Sequence, residues 1–94
     1  MTNEQITSIL AALKVDLQMS TTAYDERLKQ IIKSSYENIV AMGAQSLNVD
    51  TDRDREIVIK YAAWTWRRRE SGEGMPRMLA LDLNNRIFGE KAHG

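Results

Sequence analysis

The chain has 94 residues, with 13 basic and 13 acidic side chains, a formal net charge of zero and no cysteine. A chain of this length forms one domain with a modest core and no enzyme-sized cleft. The balanced charge disfavours DNA binding as the main task, and the absence of cysteine excludes disulfides and cysteine-based zinc sites. No apolar run approaches the roughly 20 residues of a membrane span. The opening MTNEQ lacks the features of a signal segment, so we expect a soluble chain made in the cytoplasm.

The first two predicted helices have clear starts and stops. Thr2 and Gln5 are spaced as a capping box, which predicts a first helix from there to about Lys14. A loop follows, and Thr22 with Asp25 three residues later predicts the start of a second helix spanning roughly residues 23–42. Gly43 is placed to end that helix in a left-handed conformation.

The third predicted helix, about residues 52–71, carries both tryptophans and the densest apolar run of the chain. Thr51 with Asp54 three residues later predicts its cap. The alternating Asp50, Asp52 and Asp54 resemble a calcium loop, but Arg55 stands where such a loop needs glycine and Tyr61 where it needs glutamate. We therefore expect no metal site, and we attribute the acidic residues to the favourable electrostatics of a helix start.

The fourth predicted helix runs from Pro76 to Phe88 and ends at Gly89. The segments after it, residues 90–94, are predicted to form a mobile tail, so the single helical domain covers residues 1–89. His93 has no neighbouring triad or ligand cluster in the sequence, and no nucleophile–base pair occurs elsewhere. We therefore expect no catalytic residue, no cofactor and no enzymatic activity.

These patterns predict an all-α fold, a compact bundle of about four helices around the aromatic-rich third one. The apolar stripes of the four helices keep the i, i+3, i+4, i+7 spacing of helices that face a common core. The predicted core residues are Ile6, Leu10, Leu13, Leu28, Ile32, Ile39, Ile57, Tyr61, Trp64, Leu79 and Leu83.

The third helix is apolar on two opposite sides. At roughly 100° per residue, Tyr61 and Trp64 lie on one face, whereas Ile59, Ala63 and Trp66 lie on the other. A short fourth helix is marginal cover for that second face, so we expect a neighbouring subunit to complete it. Three arginines follow in sequence. They complement the helix dipole, or they form the rim of an interface, because they fan too widely to be used within one chain. The candidate interface consists of Ile59, Ala63, Trp66, Arg67, Arg68 and Arg69.

The order of three segments resembles a known family. The first is Leu10-x-x-Leu13-Lys14-Val15-Asp16; the second is Asp25-Glu26-x-Leu28-x-x-Ile31-Ile32-x-x-Ser35; the third is Tyr61-Ala62-Ala63-Trp64-x-x-Arg67-x-x-Glu70. In order and spacing they resemble the small head–tail connector proteins of tailed bacteriophages and prophages, over nearly the whole chain. Ser34 and Ser35 replace the usual alanines, and the ending Asn85-Arg86-Ile87-Phe88 replaces a proline–tyrosine–arginine ending.

The resemblance implies a structural protein of virion assembly. Such an adaptor forms a homo-oligomeric ring under the portal protein, closes the capsid vertex after DNA packaging and joins the next head-completion or tail-joining protein. It implies a place at the head–tail junction of the virion, non-specific proximity to packaged DNA and no contact with a membrane. A small helical DNA-binding regulator that uses Arg67, Arg68 and Arg69 is the alternative.

Overall fold

A computed structural model describes residues 1–93, and it confirms the predicted all-α fold. The four helices are α1 (Asn3–Asp16), α2 (Asp25–Met42), α3 (Asp52–Ser71) and α4 (Arg77–His93). Within residues 1–93 there is no β-strand. Helix α3 contacts each of the other three helices, and α1 also packs against α2. The aromatic-rich helix is therefore the centre of the bundle.

Helix α1 begins with the predicted capping box. The backbone N–H of Thr2 donates to Gln5 Oε1 at 2.8 Å, and the backbone N–H of Gln5 donates to Thr2 Oγ1 at 3.1 Å. These two bonds satisfy amides that the first turn leaves without partners inside the helix. The helix ends at Asp16, two residues beyond the predicted Lys14.

Helix α2 begins later than the sequence suggested. The prediction of a cap at Thr22 is wrong, because Thr21 Oγ1 accepts from the backbone N–H of Ala23 and holds these residues in a turn. Tyr24 precedes the helix and offers its first turn no side-chain hydrogen bond. The helix ends at Gly43 as predicted, with φ of 132°. A side chain there would be strained, and its Cβ would also lie 3.1 Å from Ile87 of α4.

Helix α3 starts after Thr51, but the predicted capping box with Asp54 is wrong. The Thr51 hydroxyl donates to the backbone oxygen of Asn48 at 2.8 Å instead of capping the helix. Asp54 is 5% exposed and accepts from the backbone N–H of Asn48 at 2.9 Å and from Arg86 Nε of α4 at 2.8 Å. The Asp54 carboxylate, which the sequence spacing predicted to cap the helix, therefore binds a charged residue of α4 instead.

Helix α4 continues past its predicted end. Gly89 does not have a positive φ, and the helix runs through it to His93. Arg86 Nη1 donates to Glu90 Oε2 at 2.9 Å, an i, i+4 pair that joins the turns on either side of Gly89. The predicted helix end at Gly89 is therefore wrong, and most of the predicted tail is helical. The last predicted tail residue, Gly94, lies outside the described residues.

Most predicted core residues lie in one buried cluster. Trp64 differs from the others because it is half-buried and packs against the edge of that cluster. The connection between α2 and α3 also contributes to the core through Ala44, Leu47 and Val49. Among residues 1–93, no helix combines the length and the apolar character that crossing a membrane requires. The buried predicted residues are Ile6, Leu10, Leu13, Leu28, Ile32, Ile39, Ile57, Tyr61, Leu79 and Leu83.

Ion pairs and hydrogen bonds fasten α4 to the rest of the bundle. Ser46 donates to Glu90 through its hydroxyl, at 2.6 Å, and through its backbone N–H, at 3.1 Å. Ser46 Oγ also accepts from Arg86 Nη2 at 3.1 Å. Arg86 therefore bridges the α2–α3 connection, the first turn of α3 and the next turn of its own helix. Its pKa is raised, chiefly by its hydrogen bond to Asp54 and then by that to Glu90.

Because Glu90 takes part in this attachment, the free energy of unfolding should decrease at acidic pH. The pKa of Glu90 lies below its ordinary 4.5, first because the Ser46 hydroxyl donates to it and then because Arg86 does. A lowered folded-state pKa gives stability that is complete above 4.5 and is lost as the pH falls through the lowered value. We expect the urea midpoint of the parent to fall more steeply below pH 4.5 than that of Glu90→Gln. Equal slopes for the two proteins would contradict this role of Glu90.

Candidate interface at the end of the central helix

Trp66 lies at the centre of a small aromatic cluster on the surface. Its indole is half-buried and meets the ring of Tyr24 edge to face, with centroids 5.3 Å apart and an interplanar angle of 63°. The guanidinium of Arg69 lies 3.7 Å from the centroid of Trp66, a cation–π distance. Because Tyr24 itself is exposed, this cluster presents an aromatic surface framed by a cation.

Trp64 has a similar arrangement on the side of α3 that is roughly opposite to Trp66. Its ring meets Tyr61 edge to face at 5.4 Å, and the guanidinium of Arg68 lies 4.5 Å from its centroid. The indole N–H donates to the backbone oxygen of Glu73 at 3.3 Å, which fixes the start of the α3–α4 connection. That connection leaves α3 through Gly72, whose left-handed φ of 67° ends the helix. Trp64 is therefore an edge residue that joins the core to the surface.

All three arginines have contacts within the chain. Arg67 Nη2 donates to the backbone oxygen of Asp16 at 3.1 Å and so caps the last turn of α1. Arg68 and Arg69 stack on the two indoles described above. The expectation that they fan too widely to be used locally is wrong, because Arg67 reaches α1 and the other two arginines stack on tryptophans one turn earlier in α3. Stacking nevertheless occupies only the face of a guanidinium and leaves N–H groups at its edge for a carboxylate or phosphate.

The two other residues of the candidate interface are inside the molecule. Ile59 is 4% exposed and Ala63 is 2% exposed, and both belong to the buried core cluster. Helix α4 packs against α3, and Leu79 of α4 lines a groove together with Ala63. A single chain therefore buries both residues, and the surface part of the candidate interface is reduced to Trp66 and the three arginines.

A groove opens beside Trp64 and Arg67. It has a volume of about 280 Å³, and Ala63, Trp64, Pro76, Met78 and Leu79 supply its apolar lining. Four charged residues also line it, two of each sign: Asp16, Lys60, Arg67 and Glu73. Its size and apolar lining fit a single large side chain better than an extended ligand.

Sequence reasoning missed a second apolar surface, on the outer side of α4. Met78, Leu81 and Phe88 are 68%, 44% and 74% exposed. At 100° per residue they fall within about 80° of one another around the helix. The signal was present in the sequence as a second stripe, on the side of α4 opposite to the one formed by Leu79, Leu83 and Ile87.

The surface residues of this region can bind by aromatic stacking, by guanidinium hydrogen bonds and by apolar contact. These are the interactions through which Trp and Arg dominate many protein interfaces.

No protein-family model matches the chain, and no match is found among curated proteins or solved structures.

Proposed function

We propose that the chain is a head–tail connector, a structural adaptor that forms a ring under the phage portal, closes the vertex and joins the tail. The observation that carries the proposal is the placement of the three segments that resemble the connector family. The first closes α1, the second opens α2 and the third forms the second half of α3. Each segment therefore coincides with a boundary or half of one helix in an all-α bundle, as an adaptor of this family requires.

The surface chemistry supports an adaptor rather than a DNA-binding regulator. The chain has no net charge, and phosphate contacts strong enough to hold DNA would impede its passage through a conduit. Of the three arginines that the regulator would use, Arg67 already donates to the backbone oxygen of Asp16. The half-buried Trp66 is suited to anchor a protein partner, with Arg69 beside it. We assign this aromatic cluster to attachment to the portal.

The test is attachment of the purified chain to portal rings encoded in the same genome, followed by sedimentation. We expect the parent to sediment with the rings. Trp66→Ala should retain the helical circular dichroism of the parent but lose attachment, because it removes the anchor of the cluster. Tyr36→Ala serves as a matched control, since Tyr36 is also a half-buried aromatic residue but lies on α2. It should keep attachment.

Two results would contradict the proposal. One is a parent chain that does not bind portal rings at any salt concentration. The other is a sequence-selective complex with duplex DNA that survives physiological salt, which would favour the regulator. If Trp66→Ala binds as well as the parent, the portal surface lies elsewhere and the assignment to the aromatic cluster fails.

A further inference from the structure

Helix α4 is apolar on two sides, but the chain covers only one. Its inner residues Leu79 and Leu83 are buried in the core cluster, and Ile87 packs against it. Its outer residues Leu81 and Phe88, together with Met78 nearer the groove, are exposed. A helix with two apolar sides is stable when both are covered. The two-sided helix that lacks a partner is therefore α4 and not α3.

Phe88 and the groove are at opposite ends of α4. Met78, which lines the groove, is ten residues from Phe88, or about 15 Å along the helix axis. Phe88 of the same chain therefore cannot reach the groove while α4 stays helical. The molecule thus carries a projecting aromatic ring at one place and an unfilled groove of about 280 Å³ at another.

Lys91 beside Phe88 and Glu73 beside the groove carry opposite charges. Lys91 is exposed one turn after Phe88, on a nearby side of α4. Glu73 lines the groove, is exposed and accepts from the Trp64 indole only through its backbone oxygen. Among residues 1–93, neither the Lys91 ammonium nor the Glu73 carboxylate has an ion-pair partner. A cation beside the projecting ring and a carboxylate beside the groove favour the same pairing.

We propose that the groove receives Phe88 of a second copy of this chain, with Lys91 of that copy against Glu73. This inference rests on the proposed connector function and names the surfaces through which its copies meet. The Phe88 side chain and the groove are at different places on the molecule. Each copy therefore inserts Phe88 into one neighbour and receives Phe88 from the other, so the contact is heterologous. Heterologous contacts that close give the cyclic symmetry of a ring.

The size of the contact sets its strength. A phenylalanine buries roughly 150–250 Å², whereas a stable interface buries about 800 Å² on each partner. The contact between two copies, made by one phenylalanine in one groove with Leu81 and Lys91 beside it, is therefore weak in dilute solution. Portal attachment raises the local concentration of the copies and makes the same contact persistent.

Disulfide trapping tests the contact, because the chain has no cysteine of its own. Ala92→Cys and Met78→Cys alter exposed residues, keep Phe88 in place and should leave the fold intact. Ala92 lies one turn after Phe88, and its Cα is about 21 Å from that of Met78 in one chain, beyond the roughly 7 Å limit for a disulfide, so any bond between them joins two copies. We expect mild oxidation of a mixture of the two variants to yield mainly Ala92→Cys to Met78→Cys heterodimers. The double variant should give a ladder of covalent multimers.

Met42→Cys is the control, since Met42 is exposed at the end of α2 and outside the groove. Equal yields from Ala92→Cys paired with Met42→Cys or with Met78→Cys would overturn the proposal. So would a predominance of Ala92→Cys homodimers, which would indicate a two-fold contact. In the Ala92→Cys and Met78→Cys pair, Lys91→Glu on the first chain should lower the yield about threefold, and Glu73→Lys on the second should restore it. Failure of restoration would exclude the proposed ion pair.

Trapping uses the chain alone, so it separates this inference from the connector function. Specific heterodimers from a chain that does not bind portal rings would support the contact and reject the connector. Portal binding without specific heterodimers would support the connector function and reject the contact.

Discussion

Leu28→Ala should lower the free energy of unfolding by about 4 kcal/mol. Leu28 is 0% exposed and lies on α2, where it belongs to the core cluster shared by α1, α2 and α3. Alanine removes three carbon atoms and leaves a cavity that the surrounding helices fill only in part, so the transfer and cavity costs add. A domain of this size is stable by roughly 5–15 kcal/mol. The variant should therefore retain roughly 1–11 kcal/mol of that stability.

Leu81→Ala is the matched control, because it makes the same chemical change on the exposed side of α4. In dilute solution it should cost less than about 1 kcal/mol. The two values come from urea titrations of the parent and of each variant. A Leu28→Ala loss below about 1.5 kcal/mol, or equal losses for the two variants, would show that α2 does not pack as described.

Arg86→Met should cost about 3 kcal/mol, although it replaces a charged residue by an apolar one of similar length. It removes the guanidinium from Asp54, whose carboxylate is 7% exposed, and leaves that charge without its ionic partner. The carboxylate keeps only the backbone N–H of Asn48. The cost therefore comes mainly from the stranded charge rather than from the lost contact itself.

A double variant separates these two causes. Asn at position 54 carries no charge but still offers an oxygen to the N–H of Asn48, so Asp54→Asn combined with Arg86→Met strands no ion. The double variant should be more stable than the sum of the single losses predicts, by at least about 1 kcal/mol. Additive losses in urea unfolding would mean that Asp54 and Arg86 do not act as a pair.

The sequence was sufficient wherever neighbouring residues decide the structure. Thr2 and Gln5 form the predicted capping box because both partners belong to one turn. Gly43 ends α2 because the positive φ of this one glycine is enough to stop the helix. In contrast, Asp54 has the spacing of a cap but binds Arg86, 32 residues later in the chain. Only the packing of α4 on α3 brings that partner within reach, so no local pattern could favour it over the cap.

The candidate interface was predicted in part for the same reason. Trp66 and the arginines reach the surface at the end of α3, whereas Ile59 and Ala63 are buried in the core cluster. The end of α4 was also predicted wrongly, because glycine often ends helices and the pattern placed that end at Gly89. The pair formed by Arg86 and Glu90, with Ser46 from the α2–α3 connection, stabilises the helix beyond it.

Electron microscopy of particles made without the chain tests the proposed connector role. The gene is deleted from the genome that encodes the chain, particle production is induced, and the parent chain or Trp66→Ala is supplied in trans. The connector account predicts tailless heads in the deletion, tailed particles when the parent is supplied, and tailless heads again with Trp66→Ala. Tailed, DNA-filled particles in the deletion strain would contradict it.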